Sequence, residues 1–173
     1  MSAFVGEDQS RRWAEALSGD SPIRQAETLR RIASQDAVCG VSAICVRLAG
    51  SRDDDVRLWA AEALERSVRP GVDEAAELAS LLRQPTDGET AYWAATLLGR
   101  LGPAAAAAAD ALENCLRRSD CLAAREQAAW ALSRIGPEAA GAVPSLDLVA
   151  GDAPPRLRRL AKQALDAIRG AAA

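Results

Sequence analysis

Two stretches of this chain repeat each other at a fixed distance. Ala91 to Pro103 reads AYWAATLLGRLGP and Ala124 to Pro137 reads AREQAAWALSRIGP; Ala94 and Ala128, Leu98 and Leu132, Gly102 and Gly136, and Pro103 and Pro137 are each 34 residues apart. The spacing extends along the chain: Leu29, Leu64, Leu98, Leu132 and Leu165 form one column at offsets of 35, 34, 34 and 33. Ile44, Leu78, Leu112 and Leu146 form a second column at 34 throughout. A unit of that length cannot bury its apolar face alone, so recurrence at a fixed offset implies units stacked against one another.

Composition decides what the units are made of. Hydrophobic residues are 49% of the chain and aromatics 3%, with Ala dominating the apolar share and no alternating run of Val, Ile and Thr. Helices packed closely through small residues satisfy that pattern, and a sheet does not. At 173 residues the chain has room for one domain or one short array. The expected organisation is a single all-α domain, 1–173, with a capping helix in 1–19, repeats at 20–51, 52–85, 86–119 and 120–152, and a half repeat at 153–170.

Local signals place the helices. Gln9 to Ser18 reads as a first amphipathic helix. Asp20, Ser21 and Pro22 supply a cap and a first-turn proline for a helix to about Ser34, followed by one from about Ala37 to Ala49. Asp53 to Asp55 suit the positive end of a helix over Val56 to Val68, and Asp73 to Arg83 follows, ended by Pro85. From Thr86 and Asp87 the pattern predicts helices over Glu89 to Leu101 and Pro103 to Arg118, the six alanines Ala104 to Ala109 included, because Ala is the strongest helix former. Leu122 to Ile135 and Pro137 to Ala150 complete the fourth unit, with Pro144 separating a turn at Pro137 to Gly141 from the regular helix. Pro154 and Pro155 introduce a last helix to about Arg169, before the closing GAAA.

Charge and chemistry exclude several classes. The net charge is -3, from 24 acidic and 21 basic residues, which gives no field to attract nucleic acid or an anionic membrane. The chain contains no His, which removes most proton-transfer, triad and metal schemes, and it has no Walker loop, dinucleotide turn, HExxH or CxxC pair. Cys39, Cys45, Cys115 and Cys121 are expected as buried, reduced thiols. No signal-like or membrane-spanning stretch occurs, so a cytoplasmic location is expected.

The block VRLWAAEALERSV (Val56 to Val68), the two stretches quoted above and the linker IGPEAAGAVPSL (Ile135 to Leu146) together resemble bacterial HEAT and HEAT-like repeats. The resemblance covers about Asp20 to Arg169 and implies a right-handed α-solenoid of about four helical hairpins. In that family an Asp before the first helix and an Arg near its start recur; Asp20, Asp53, Asp87, Asp120 and Asp152 match the first, and Arg24, Arg57, Arg125 and Arg158 the second, with Ala91 breaking it. Tetratricopeptide and ankyrin repeats fit less well, since their large aromatic positions and TPLH signature are missing. The lack of His also argues against the HEAT-like di-iron hydroxylases. The resemblance implies no activity and no cofactor.

Three surfaces are candidates for function. Trp59 and Trp93 share a column at 34, Trp130 lies three residues further on in the next, and Arg66, Arg100 and Arg134 form a third, extended by Arg31. These could line a binding strip, since Trp and Arg dominate interaction hot spots, or fill gaps between repeats and complement helix ends. The resemblance implies that second helices line a concave side, where Ser42, Val46, Ala76, Glu77, Ser80, Asp110, Asn114, Ser145 and Leu148 are expected to face outward. The last helix carries Arg156, Arg158, Arg159, Lys162 and Arg169 against Asp166, or +4, leaving -7 for the rest; it reads as a polar cap or a contact for acidic groups.

The leading expectation is a non-enzymatic scaffold holding a protein or peptide, with no metal, cofactor, nucleic acid or membrane. Two alternatives come from the resemblance alone: an enzyme similar to the HEAT-like alkylpurine DNA glycosylases, and a chaperone similar to the bilin lyases.

Overall fold

Short polar side chains or prolines start α-helices at Pro22, Asp54, Gly88, Val143 and Pro155, as their positions in the sequence suggest. The computed structural model describes residues 2–83 and 87–170, with side chains from residue 8 onward. The boundary expected at Pro85 and Thr86, and the tail Ala171 to Ala173, lie outside the described residues. Among the described residues the only sheet-like feature is an isolated parallel bridge between Val38 and Val68, and no helix is long and apolar enough to cross a membrane. The chain packs as two compact units, Met1–Glu74 and Ala75–Ala173.

The first unit contains α1 (Ser2–Ser18), α2 (Pro22–Ala33), α3 (Ser42–Ala49), α4 (Asp54–Arg66) and a 3-10 turn, Val72–Glu74. Helix α1 starts earlier than Gln9. The α2 cap is Ser21 rather than Asp20, with Pro22 in the first turn, and Asp53 caps α4 by accepting the Val56 N–H at 3.0 Å. Helices α2 and α4 lie against each other, and α3 packs on α4.

The second helix of this unit is shorter than expected. It begins at Ser42, not near Ala37, and Val41 at its cap position has no side chain able to accept a hydrogen bond. Glu74 supplies the missing acceptor from another part of the chain. Its buried carboxylate accepts Ser42 N–H at 2.7 Å, Ser42 Oγ at 2.9 Å, Gly71 N–H at 2.9 Å and Gly40 N–H at 3.3 Å. The residues before α3 are stitched to the end of α4 instead: Val38 N–H donates to Ser67 O, Arg69 N–H to Val38 O, and Ser67 Oγ to Gln35 O.

This late start sets which face of α3 turns inward. Ser42, Cys45, Val46 and Ala49, spaced i, i+3, i+4 and i+7, are buried. Val46, expected to face outward, is 0% exposed, and Ser42 is buried with it; Ile44, expected in the core column, is half-buried. Both corrections follow from the Glu74 clasp.

The second unit contains α5 (Ala75–Arg83), α6 (Gly88–Leu101), α7 (Ala109–Arg118), α8 (Leu122–Ile135), α9 (Val143–Asp152) and α10 (Pro155–Gly170), with 3-10 turns at Gly102–Ala108 and Gly136–Ala142. Helices α6 and α10 pack on either hand of α8, while α5 packs on α6, α7 on α8 and α9 on α10. Gly102 at φ 60° and Gly136 at φ 79° end α6 and α8 in a conformation other residues rarely adopt. Pro103 and Pro137 then begin the two turns.

The alanine run departs from expectation. Ala104 to Ala108 belong to a 3-10 turn with a break at Ala105 (φ -93°, ψ 16°), and α7 starts only at Ala109. The same break occurs 34 residues on, at Ala139 (φ -89°, ψ 19°), in the turn that Pro144 led one to expect. Helix propensity is a small term, and burial of Ala105, Ala108, Ala139 and Ala142 overrides it.

The Asp column also divides. Asp87 caps α6, accepting Thr90 N–H at 2.9 Å and Thr90 Oγ1 at 2.8 Å. Burial pushes its carboxyl up, but these hydrogen bonds outweigh it and hold the group below its ordinary value. At α8 the cap residue is Cys121, without a side-chain capping bond. Arg57 and Arg125 both donate to main-chain carbonyls, of Ser51 at 3.0 Å and Leu116 at 2.8 Å. Two ion pairs hold α10: Arg156 to buried Glu126 at 3.2 Å and Arg169 to Asp147 at 2.7 Å.

Replacing Glu74 by Ala orphans up to four donors, and should cost about 3 kcal/mol or more in urea unfolding. Glu74→Gln, which keeps one acceptor oxygen, should lose clearly less; equal, negligible losses would show that the clasp does not hold α3.

Candidate functional site

The tryptophan column does not form a strip of equivalent positions. Trp93, expected beside the buried stripe of its helix, is only 5% exposed. Helix α6 is buried almost all round, from Trp93 through Gly99, so it has no free flank to present. The Trp93 indole N–H donates to Glu89 at 3.0 Å, and the ring meets Tyr92 edge-on at 5.2 Å. It is a satisfied core residue. Trp130 is half-buried on α8 and covers Gly99: a Cβ built on that glycine would stand 2.3 Å from the indole and 3.1 Å from Ala131 Cα. Trp59, in the first unit, is half-buried with the Arg30 guanidinium over its ring, 5.5 Å from the centroid.

The arginine column is equally varied. Arg66 is exposed and paired with Glu62 at 3.1 Å, Arg100 is half-buried, and Arg31 and Arg134 are exposed. All lie in the last turns of their helices, where a cation complements the dipole.

The second helices of the second unit keep an outward row. Ala76 and Glu77 on α5, Asp110 and Asn114 on α7, and Leu148 on α9 are exposed, Leu148 to 75%. Ser80 is half-buried, and Ser145, expected in the row, is buried and donates to Glu113 on α7. Beneath the row, Leu78, Leu112 and Leu146 are fully buried, as their spacing requires. Leu148 is the most exposed large hydrophobic side chain described.

Two clefts accompany these surfaces. One, of about 250 Å³, lies between α2 and α4 in the first unit, with Ile23, Glu27, Arg30, Asp53, Asp55 and Trp59 among its walls. The other, of about 380 Å³ in the second unit, is lined by Arg83, Gly88, Asn114, Cys115, Arg118 and Cys121.

Two of the four thiols, Cys45 and Cys115, are buried and held protonated. Burial, with Glu74 nearby, pushes Cys45 up to about 12. Burial and Cys121 push Cys115 up to about 11 against a lowering by Arg125. Both stay protonated near neutral pH. Cys39 is exposed and Cys121 half-buried, so only Cys45 and Cys115 match the expectation of buried thiols. Among the described residues no three His, Cys, Asp or Glu side chains are grouped to hold a metal ion.

Paired helices repeating at a 34-residue spacing, with a buried leucine in all of them but α3, define an all-α fold of the helical-repeat, or α-solenoid, class. The family described as HEAT repeats matches residues 75–166, more than half of the chain, and this chain belongs to the HEAT-repeat family. Among solved structures, the designed armadillo repeat protein YIII(Dq.V1)4CPAF, in complex with the peptide (KR)4, is similar at a TM-score of 0.62 and 16% identity, covering 90% of this chain and 80% of the designed one. At that identity the likeness is one of fold. No curated protein matches the sequence.

Sequence reasoning passed over Gly99 and Arg30, and gave Glu74 only a helix-start role, missing its reach to α3. Glu74 and Gly99 were findable as breaks in the periodicity: Glu74 occupies the column of buried Ala108 and Ala142, and Gly99 that of Glu65 and Ser133. Arg30 carried no such mark, because its partner Trp59 lies on the next first helix.

Gly99 and Trp130 should prove energetically coupled. Gly99→Ala gains about 1 kcal/mol of helix propensity but overfills the contact at a cost of about 1–3 kcal/mol, a net loss in the wild-type background. With Trp130→Ala in place the same substitution should cost clearly less, since only the 3.1 Å approach to Ala131 Cα remains. Denaturant unfolding of the four proteins of this cycle reads the coupling, and additive effects would refute the contact.

Proposed function

We propose that this HEAT-repeat chain is a non-enzymatic interaction module that holds a protein or peptide on the exposed row formed by α5, α7 and α9. The observation that carries the reading is Leu148, a leucine left 75% in solvent on α9, with Pro144 exposed one turn before it. Asp110 and Asn114, exposed on α7, which touches α9, add hydrogen-bonding groups to the same row, the mixture of apolar anchor and polar rim that interfaces use. The designed armadillo protein of similar fold holds a peptide, which supports a polypeptide partner.

Several features weigh against catalysis. Neither Cys45 nor Cys115 is ionised near neutral pH, and the buried carboxylates Glu74 and Glu126 are engaged in structural contacts. The row carries Glu77 and Asp110, which would repel phosphates, so nothing favours the glycosylase alternative. Nothing among the described residues favours the bilin-lyase alternative.

The test is affinity capture from the native lysate with the wild-type chain and with a Leu148→Arg/Asn114→Lys variant in parallel. Both substitutions are at exposed positions and should change stability by no more than about 0.5 kcal/mol. A polypeptide retained by the wild type and lost from the variant is the expected result. Equal retention by both, or a purified chain that turns over a substrate at the variant's rate, would overturn the reading.

A further inference from the structure

The cleft between α2 and α4 holds an arrangement that the fold does not require. Trp59 forms one wall, and the guanidinium of Arg30 rests over its ring at 5.5 Å. An indole face attracts cations through its quadrupole, and here the chain itself demonstrates the attraction. Arg30 is exposed, and among the described residues it forms no ion pair, so neither burial nor a carboxylate accounts for its position.

The remaining walls are acidic and aliphatic. Asp53 gives one oxygen to the Val56 N–H as the cap of α4. Glu27 and Asp55 are exposed and have no ion-pair partner among the described residues. Glu27 lies in the second turn of α2, beyond the capping positions, so helix capping does not explain it. Three carboxylates against one guanidinium leave the cleft at a formal charge of -2. Ile23, 74% exposed, adds an apolar surface to the same cleft. The volume, about 250 Å³, is below the roughly 300–1,000 Å³ of small-molecule sites and suits one long side chain.

We propose that this cleft receives a lysine or arginine side chain of a partner polypeptide, with an adjoining aliphatic residue against Ile23. The cationic head meets Glu27 and Asp55 while its methylene stem lies along the part of half-buried Trp59 that Arg30 leaves open to the cleft, as amphipathic side chains do. An acidic partner would meet three carboxylates for the sake of Arg30 alone, and an uncharged apolar one would leave the unpaired carboxylates desolvated. The proposal extends the interaction reading to a second surface and does not depend on the row around Leu148.

The experiment uses the full chain and two fluorescein-labelled hexapeptides, Gly-Arg-Leu-Arg-Leu-Gly and Gly-Glu-Leu-Glu-Leu-Gly. Fluorescence anisotropy should show binding of the first, weakening as salt is added, and none of the second. In the ¹⁵N spectrum the Trp59 indole N–H should shift on titration while that of Trp93 does not. Glu27→Gln with Asp55→Asn should weaken binding about tenfold while lowering the thermal midpoint by no more than about 4 °C, the share that Asp55 owes to the first turn of α4. Leu148→Arg should leave it unchanged, which separates this site from the α7–α9 row. No binding of the arginine peptide at about 1 mM, equal binding of the two peptides, undiminished binding by the double variant, or a Trp59 signal that stays still would each overturn the proposal.

Discussion

Close approach of helix backbones is the constraint on which the second unit depends. Helices α6 and α8 pack together with Gly99 against Trp130 and Ala131, and their buried positions include Ala94, Ala95, Ala128 and Ala129, residues too small to hold helices apart. At Gly99 there is no room for a Cβ, because the Trp130 ring already fills it. Small contacts forgo the large apolar area an aromatic would bury, and the compensation is dispersion gained over many close atoms. This explains how a chain with 3% aromatics builds a core. It also requires the two positive-φ glycines, Gly102 and Gly136, which turn the chain sharply enough for each second helix to return over its partner.

The first unit solves a different problem, the absence of a local cap for α3. Glu74 closes it from 32 residues away, and the burial of Ser42, Cys45 and Val46 follows. A charged group recruited into a column that elsewhere holds Ala108 and Ala142 thus sets the register of a helix. Polar chemistry has taken the place of repeat chemistry there.

These two cases mark how far the sequence could be read. Columns at a fixed offset, such as Leu78, Leu112 and Leu146, were legible because each depends only on helical period and local packing. Helix ends at Asp53, Asp87 and the Gly-Pro pairs were legible because capping is local. Val46 was misplaced because a residue distant in sequence sets where its helix begins. Trp93 was misplaced because position within one helix does not reveal whether that helix is enclosed on all sides. The alanine run was read as helix on propensity, a term smaller than the burial that bends it. Of the candidate site, the exposed row of Glu77, Asp110, Asn114 and Leu148 was legible from period, whereas the pairing of Arg30 with Trp59 joins two helices and left no trace in either.

The account therefore assigns scaffold to positions that repeat, and surface chemistry to positions where equivalent residues find different surroundings. Trp59 and Trp93 state this most sharply, since they share a column and differ in environment. Labelling the chain with 5-fluorotryptophan and comparing ¹⁹F shifts in H₂O and D₂O measures solvent contact at each indole, with single Trp→Phe variants assigning the signals. The account predicts a clear solvent isotope shift for Trp59 and none for Trp93. Equal shifts at the two positions would contradict it, because the column would then be one continuous surface.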